Sequence, residues 1–122
     1  MKLLVFILNK AHLLDELLKE FALHGICGAT ILDSEGMVRV LSNKKNLENE
    51  IPFLGSLRTF LNPERQKSHT ILTVIQEDQL NEAVSVIESV VGDLSGEDTG
   101  IAFSLPLDFV KGLYGCGKYN NY

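Results

Sequence analysis

The chain has no tryptophan, three prolines and only two cysteines in 122 residues. Cys27 and Cys116 are too few for a disulfide framework and lack metal-ligand spacing, so a reducing compartment is the default expectation. Cations are also scarce. Eleven Lys and Arg against sixteen Asp and Glu give a net charge of −5. That deficit argues against a nucleic-acid partner, because duplex binding rests on clustered cations that neutralise phosphates. No long hydrophobic run is present. The longest, Leu3 to Leu8, is far below the roughly 20 residues a membrane-spanning helix needs. It is also short for a signal peptide and is followed by no small-residue cleavage site. What the chain does have is 45% apolar and 22% charged residues, a globular balance. The expectation is one cytoplasmic domain spanning residues 1–122, with no nucleic-acid partner and no membrane insertion.

Lys2–Leu8 (KLLVFIL) is short and continuously apolar, which predicts a buried strand. The period then changes. Leu13, Leu14, Leu17, Leu18 and Phe21 fall at helical spacing, with Asp15, Glu16, Lys19 and Glu20 opposite. His24-Gly25 ends this helix, Gly25 being the left-handed residue. Gly28–Leu41 (GATILDSEGMVRVL) predicts a second strand bent or bulged at Gly36. Ser42 to Lys67 begins as a polar cluster, then carries Phe53, Leu57, Phe60 and Leu61 at helical spacing after Pro52. Such a long excursion points to function. Ser68–Ile75 predicts a third strand, followed by a helix that Asp78 caps, with Leu80, Ala83, Val84, Ile87, Val90 and Val91 on one side. A Gly-rich acidic turn, Gly92–Gly100, leads to a fourth strand, Ile101–Leu105. The tail, residues 115–122, reads as mobile.

Strand–helix–strand, long loop, strand–helix–strand is an α+β order: a ferredoxin-like βαββαβ sandwich, with both helices on one face and right-handed crossovers. In the first strand, Leu3, Val5 and Ile7 alternate with Leu4, Phe6 and Leu8, so both faces are apolar. Two helices cover one face of a sheet. Self-association is the simplest way to bury the other.

The segment LLDELLKEFALHGICGATILDSEGM resembles the first helix and second strand of the PII nitrogen-regulatory signalling proteins. Leu14-Asp15-Glu16-Leu17 stands for the family's helix start, Gly25-Ile26-Cys27-Gly28-Ala29-Thr30 for its Gly-Val-x-Gly-x-Thr, and Gly36 for the entry into its long T-loop. TILTVI, the acidic Glu77-Asp78 helix start and GIAFSLPLDFV resemble its second half. The likeness runs over residues 2–113. It implies a homotrimer that is not an enzyme, binds ATP or ADP in clefts between subunits and often 2-oxoglutarate, and grips an unknown protein target (a transporter, enzyme or regulator) through the T-loop, here 37–67.

Carried over position by position, Ile7, Thr30, Gly36, Arg39 and Val74 fall on the family's cleft wall. Gly92, Gly96, Thr99 and Gly100 fall on its phosphate-wrapping turn, and Lys111 after the fourth strand. Backbone N–H groups of such a turn can form an anion nest. The departures are specific. The family's Lys after the turn is replaced at Thr99 and Gly100, and its two Arg by Lys111 and Leu113. Val40 replaces the Gln after the T-loop Arg. Asp93, Glu97 and Asp98 add negative charge to the turn, which repels a triphosphate without a cation. Losing two or three charge-assisted contacts, each about 1.5–3 kcal/mol, would cost several decades of affinity. The effector is therefore left open between a nucleotide and another anion. Residues 37–68 contain no Tyr, so uridylylation in the family's usual form is excluded. Phe53, Leu54, Leu57 and Arg58 are the candidate partner-binding residues, with covering of a sheet edge or neighbouring subunit as the competing role. His24 with Cys27 as a nucleophile pair, and His12, His69 and Cys116 as a metal site, are weaker readings; Cys27 reads as a small apolar filler. The alternatives are a CutA-like metal-associated trimer, an acylphosphatase-like enzyme, which needs an Arg that Asn9-Lys10-Ala11-His12 lacks, and a structural trimer with decayed sites.

Overall fold

The computed structural model describes residues 1–42, 67–96 and 98–113. Four strands, β1 (Lys2–Leu8), β2 (Ala29–Ser34), β3 (Ser68–Ile75) and β4 (Gly100–Pro106), form one antiparallel sheet in the order β2-β3-β1-β4. With α1 (Leu14–Leu23) and α3 (Leu80–Val91), this is an α+β architecture compatible with a ferredoxin-like fold. Leu4 pairs with Thr73 and with Ser104, which places β1 in the middle of the sheet and explains its apolar run.

The core lies between the sheet and the two helices. Leu4, Phe6, Leu8, Ile71 and Ile75 from the sheet meet Leu17 and Phe21 of α1 and Ala83, Val86, Ile87 and Val91 of α3. Burying each of the larger side chains contributes about 1.5–3 kcal/mol. The predicted face of α1 is the one that packs: Leu17 and Phe21 are buried, with Leu13, Leu14 and Leu18 against them.

α1 stops by a Schellman closure. Gly25 N–H donates to Ala22 O (3.1 Å) and Ile26 N–H to Phe21 O (2.8 Å), which requires the left-handed Gly25, φ +81°. Buried Ile26 supplies the apolar contact that goes with this motif. The start of the second helix departs from expectation. The cap is not Asp78 but Gln76, in a reciprocal box with Gln79, and a 3-10 turn at Glu77–Gln79 precedes α3.

β2 is also shorter than the sequence pattern predicts. It pairs only as far as Ser34 opposite Ser68, and Met37–Ser42 is a short helix, α2. Because β3 begins at Ser68, residues beyond Ser34 have no strand beside them among the described residues. Their backbone groups bond locally instead, as Val40 N–H does to Gly36 O at 3.1 Å. The predicted helix at 52–61 and the mobile tail at 115–122 lie outside the described residues.

Candidate functional site

The register divides the candidate residues between the two ends of the sheet. Thr30 sits opposite Leu72, level with Val5 in the middle of β1, while Val74, two residues along β3, pairs with Leu3 near the end where β1 begins and β4 finishes. Exposed Lys111 follows β4 beyond that same end. Ile7, opposite Thr70 and Ile101, lies near the other end with the turn and Gly100. Gly36 and Arg39 are also at that end, but beyond β2, on the edge away from β4. Leu3 to Ile7 alone spans about 13 Å of strand. A single protomer therefore does not gather these residues into one pocket.

The turn after α3 is the most defined local geometry. Gly92 closes the helix, its N–H donating to Glu88 O at 3.0 Å. Three consecutive N–H donors then point at the chain's own oxygens. Leu94 N–H reaches Glu88 Oε2 (3.2 Å), Ser95 N–H reaches Asp93 Oδ1 (2.9 Å), and Gly96 N–H reaches Asp93 O (2.9 Å). Ser95 Oγ also donates to Asp93 Oδ1 at 2.8 Å. The Ser95 N–H first, and its hydroxyl second, hold the Asp93 carboxyl below the usual carboxylate range. Thr99 is buried, and its hydroxyl turns inward to Gly96 O (3.1 Å). Gly100 is needed for close approach: φ is +134°, a Cβ there would overlap Ile7 O, and the Phe6 ring is 3.0 Å away. Its role is structural.

This donor set does not fit a polyphosphate. The N–H groups of 94, 95 and 96 are held by two carboxylates and a carbonyl, the Thr99 hydroxyl faces in, and residues 92–100 contain no Lys or Arg. A phosphate would have to displace charged acceptors without bringing a cation to replace them.

The open face of the sheet, which sequence reading anticipated only from β1, runs across all four strands. Leu3, Val5 and Ile7 stand in register with Val74, Leu72 and Thr70 on one side and Leu105, Phe103 and Ile101 on the other. Ile101, Phe103 and Leu105 remain 55%, 46% and 41% exposed. One polar knot interrupts the apolar surface. Ser34 and Ser68 share a hydroxyl–hydroxyl bond of 2.8 Å, Thr70 Oγ1 donates to Ser34 Oγ at 2.8 Å, and Ser68 Oγ donates to Ser34 O at 3.1 Å. It pins β2 to β3 where the chain leaves for the long excursion. Three hydroxyls at alternating strand positions were the sequence signal for it.

The minor sequence candidates are accounted for by local bonds. His24 Nδ1 donates to Glu20 O at 2.8 Å and caps α1. Cys27 is exposed and disulfide-bonded, so it is neither an apolar filler nor a nucleophilic thiol. Lys10 Nζ, the cation of the first loop, donates to Val91 O at 3.1 Å, which ties that loop to the end of α3. His69 Nδ1 lies 3.3 Å from Asp33 Oδ1 but is too poorly aligned to form a hydrogen bond with it. Among the described residues no three His, Cys, Asp or Glu side chains converge on a metal position, and no helix is long and apolar enough to cross a membrane. A groove of about 500 Å³ that sequence reading missed runs between α3 and the edge strand β4, lined by Leu80, Val84, Leu94, Ala102 and Phe103. Phe53, Leu54, Leu57 and Arg58 lie outside the described residues.

No protein-family model matches the chain, and no curated protein is significantly similar to it.

Proposed function

We propose that this chain is a PII-like regulatory subunit. In this reading copies associate through the open sheet face, a small effector binds in the clefts between them, and residues 37–67 pass that state to a partner protein. The supporting observation is the apolar face itself. Leu3, Ile7, Leu32, Leu72, Val74, Ile101, Phe103 and Leu105 run across all four strands, with Leu32, Ile101, Phe103 and Leu105 exposed, and a contiguous exposed apolar patch on a domain marks an interaction surface. Association also offers a way to unite the candidate residues that one protomer holds at opposite ends of its sheet. The filled turn narrows the effector. It speaks for a small ligand held by other groups and against an ATP or ADP gripped by residues 92–100.

Native mass spectrometry tests the assembly. Trimers are expected for the wild-type chain, and Phe103→Asp should shift them to monomers with an unchanged far-ultraviolet circular dichroism spectrum. A wild-type monomer at tens of micromolar protein would overturn the reading. A melting screen with 2-oxoglutarate, bicarbonate, AMP and cyclic dinucleotides then identifies the effector.

A further inference from the structure

We propose that β4 and the groove beside it form a docking edge for a partner protein, which adds an extended segment carrying apolar and basic side chains. β4 is the terminal strand of the sheet, so among the described residues its only hydrogen-bonded neighbour is β1. Exposed edges are commonly blunted by charge, proline or a bulge. β4 reads GIAFSLP, holds no charged side chain and keeps its one proline at the last position. It pairs with β1 residue for residue from Gly100 to Pro106, so no bulge turns it away. An edge of this kind is a template for one more strand.

The groove gives that strand room for its side chains. Ala102 and Ser104 are in register with the core residues Phe6 and Leu4, so they stand on the helix side of the sheet. Both are small, and α3 leaves a space of about 500 Å³ over them, walled by Leu80, Val84 and Leu94. Charge selects the partner. Thr70 to Val110 contains eight Asp and Glu and no Lys, Arg or His. Exposed Asn81 and Ser85 line the helix wall of the groove, and helical spacing puts exposed Asp78 and Glu88 on the same stripe. Glu88 is fixed at the Leu94 end, accepting from Leu94 N–H at 3.2 Å. Two cations flank the region without lining the groove: Lys2 pairs with Pro106 at the end of β4, and Lys10 Nζ is bonded to Val91 O.

The spacing of the two carboxylates sets the pattern of the segment. Asp78 and Glu88 are ten positions apart, about 15 Å along a helix, which an extended strand covers in about four residues. One side of a strand carries positions i, i+2 and i+4. The segment therefore reads basic–x–apolar–x–basic, with the apolar side chain over Val84 and Ala102. Main-chain bonds to β4 supply affinity, and the alternate side chains supply specificity. The groove lies on the helix side of the sheet, so this docking does not depend on association through the open face.

The test uses the full-length protein and a fluorescein-labelled synthetic peptide, Ser-Arg-Thr-Ile-Thr-Lys-Ser. Anisotropy should show saturable binding that weakens as salt rises, and the same peptide with Glu for its Arg and Lys should not bind. The double variant Asp78→Asn/Glu88→Gln keeps an acceptor for Leu94 and should weaken binding several-fold with an unchanged circular dichroism spectrum. Amide resonances of Leu80–Ser85 and Ile101–Leu105 should shift, while those of α1 and β2 stay. Only alternate amides of an added strand face β4. Backbone N-methylation of the Arg, Ile and Lys set and of the two Thr should therefore act oppositely, one abolishing binding and the other sparing it. No binding at millimolar peptide, equal binding of the acidic peptide, equal loss from both methylated sets, or shifts confined to the open face would each overturn the proposal. So would β4 shifts that follow protein concentration and not peptide, which would give the edge to a second copy of the chain.

Discussion

At the residue scale, Gly100 and Asp93 carry the clearest constraints. Gly100 combines a positive φ with a backbone position pressed against Ile7 O, so any side chain must move β4 away from β1. Gly100→Ala is expected to lose about 1–3 kcal/mol in urea unfolding, the cost of local backbone strain. A loss of only a few tenths would mean that the turn yields easily. Asp93 sets a pH dependence. Its carboxyl is held below the ordinary range by Ser95, so the turn's extra order is fully present above the unfolded carboxylate range and is lost as pH falls through the depressed native value. The Ser95 amide resonance should report a titration midpoint below that of an unstructured Asp, and Asp93→Asn should abolish it. That Thr99 and Asp93 face into the turn was not legible in the sequence, because Gly-rich acidic segments serve ligands and plain connections alike.

At the element scale, the helix ends explain what sequence reading caught and what it missed. Gly25 was legible because only a residue tolerant of φ +81° closes α1 there. The Gln76/Gln79 box was not, since Asp78 is the stronger capping residue by type. Gln79→Ala should cost about 1 kcal/mol and speed amide exchange in the first turn of α3. An equal loss from Asp78→Ala would restore the cap the sequence suggested. The end of β2 follows the same logic. MVRVL has β-branched residues suited to a strand, but a strand needs a partner, and β3 offers none past Ser68.

At the scale of the whole molecule, one β1 strand with two apolar faces became a four-strand surface with a single polar knot. Its consequence for ligand choice is direct. A nucleotide that bound well would raise stability by about 2.7 kcal/mol at 100 times its dissociation constant. Melting in millimolar ATP or ADP, with and without Mg²⁺, is expected to show no shift, because Glu88 and Asp93 hold the donors of the turn. A clear upward shift would mean that phosphate displaces them or binds elsewhere.

By itself the sequence determined the alternation of strands and helices, the apolar stripes that bury them, and the Gly25 stop, all of which follow from local periodicity and backbone sterics. Tertiary structure decided what the functional candidates do. Hydrogen bonds within the turn claimed Asp93, Glu88 and Thr99, and strand register sent Val74 and Ile7 to opposite ends of the sheet. Composition reports how many carboxylates and thiols a chain has, and only the fold brings them within reach of their partners.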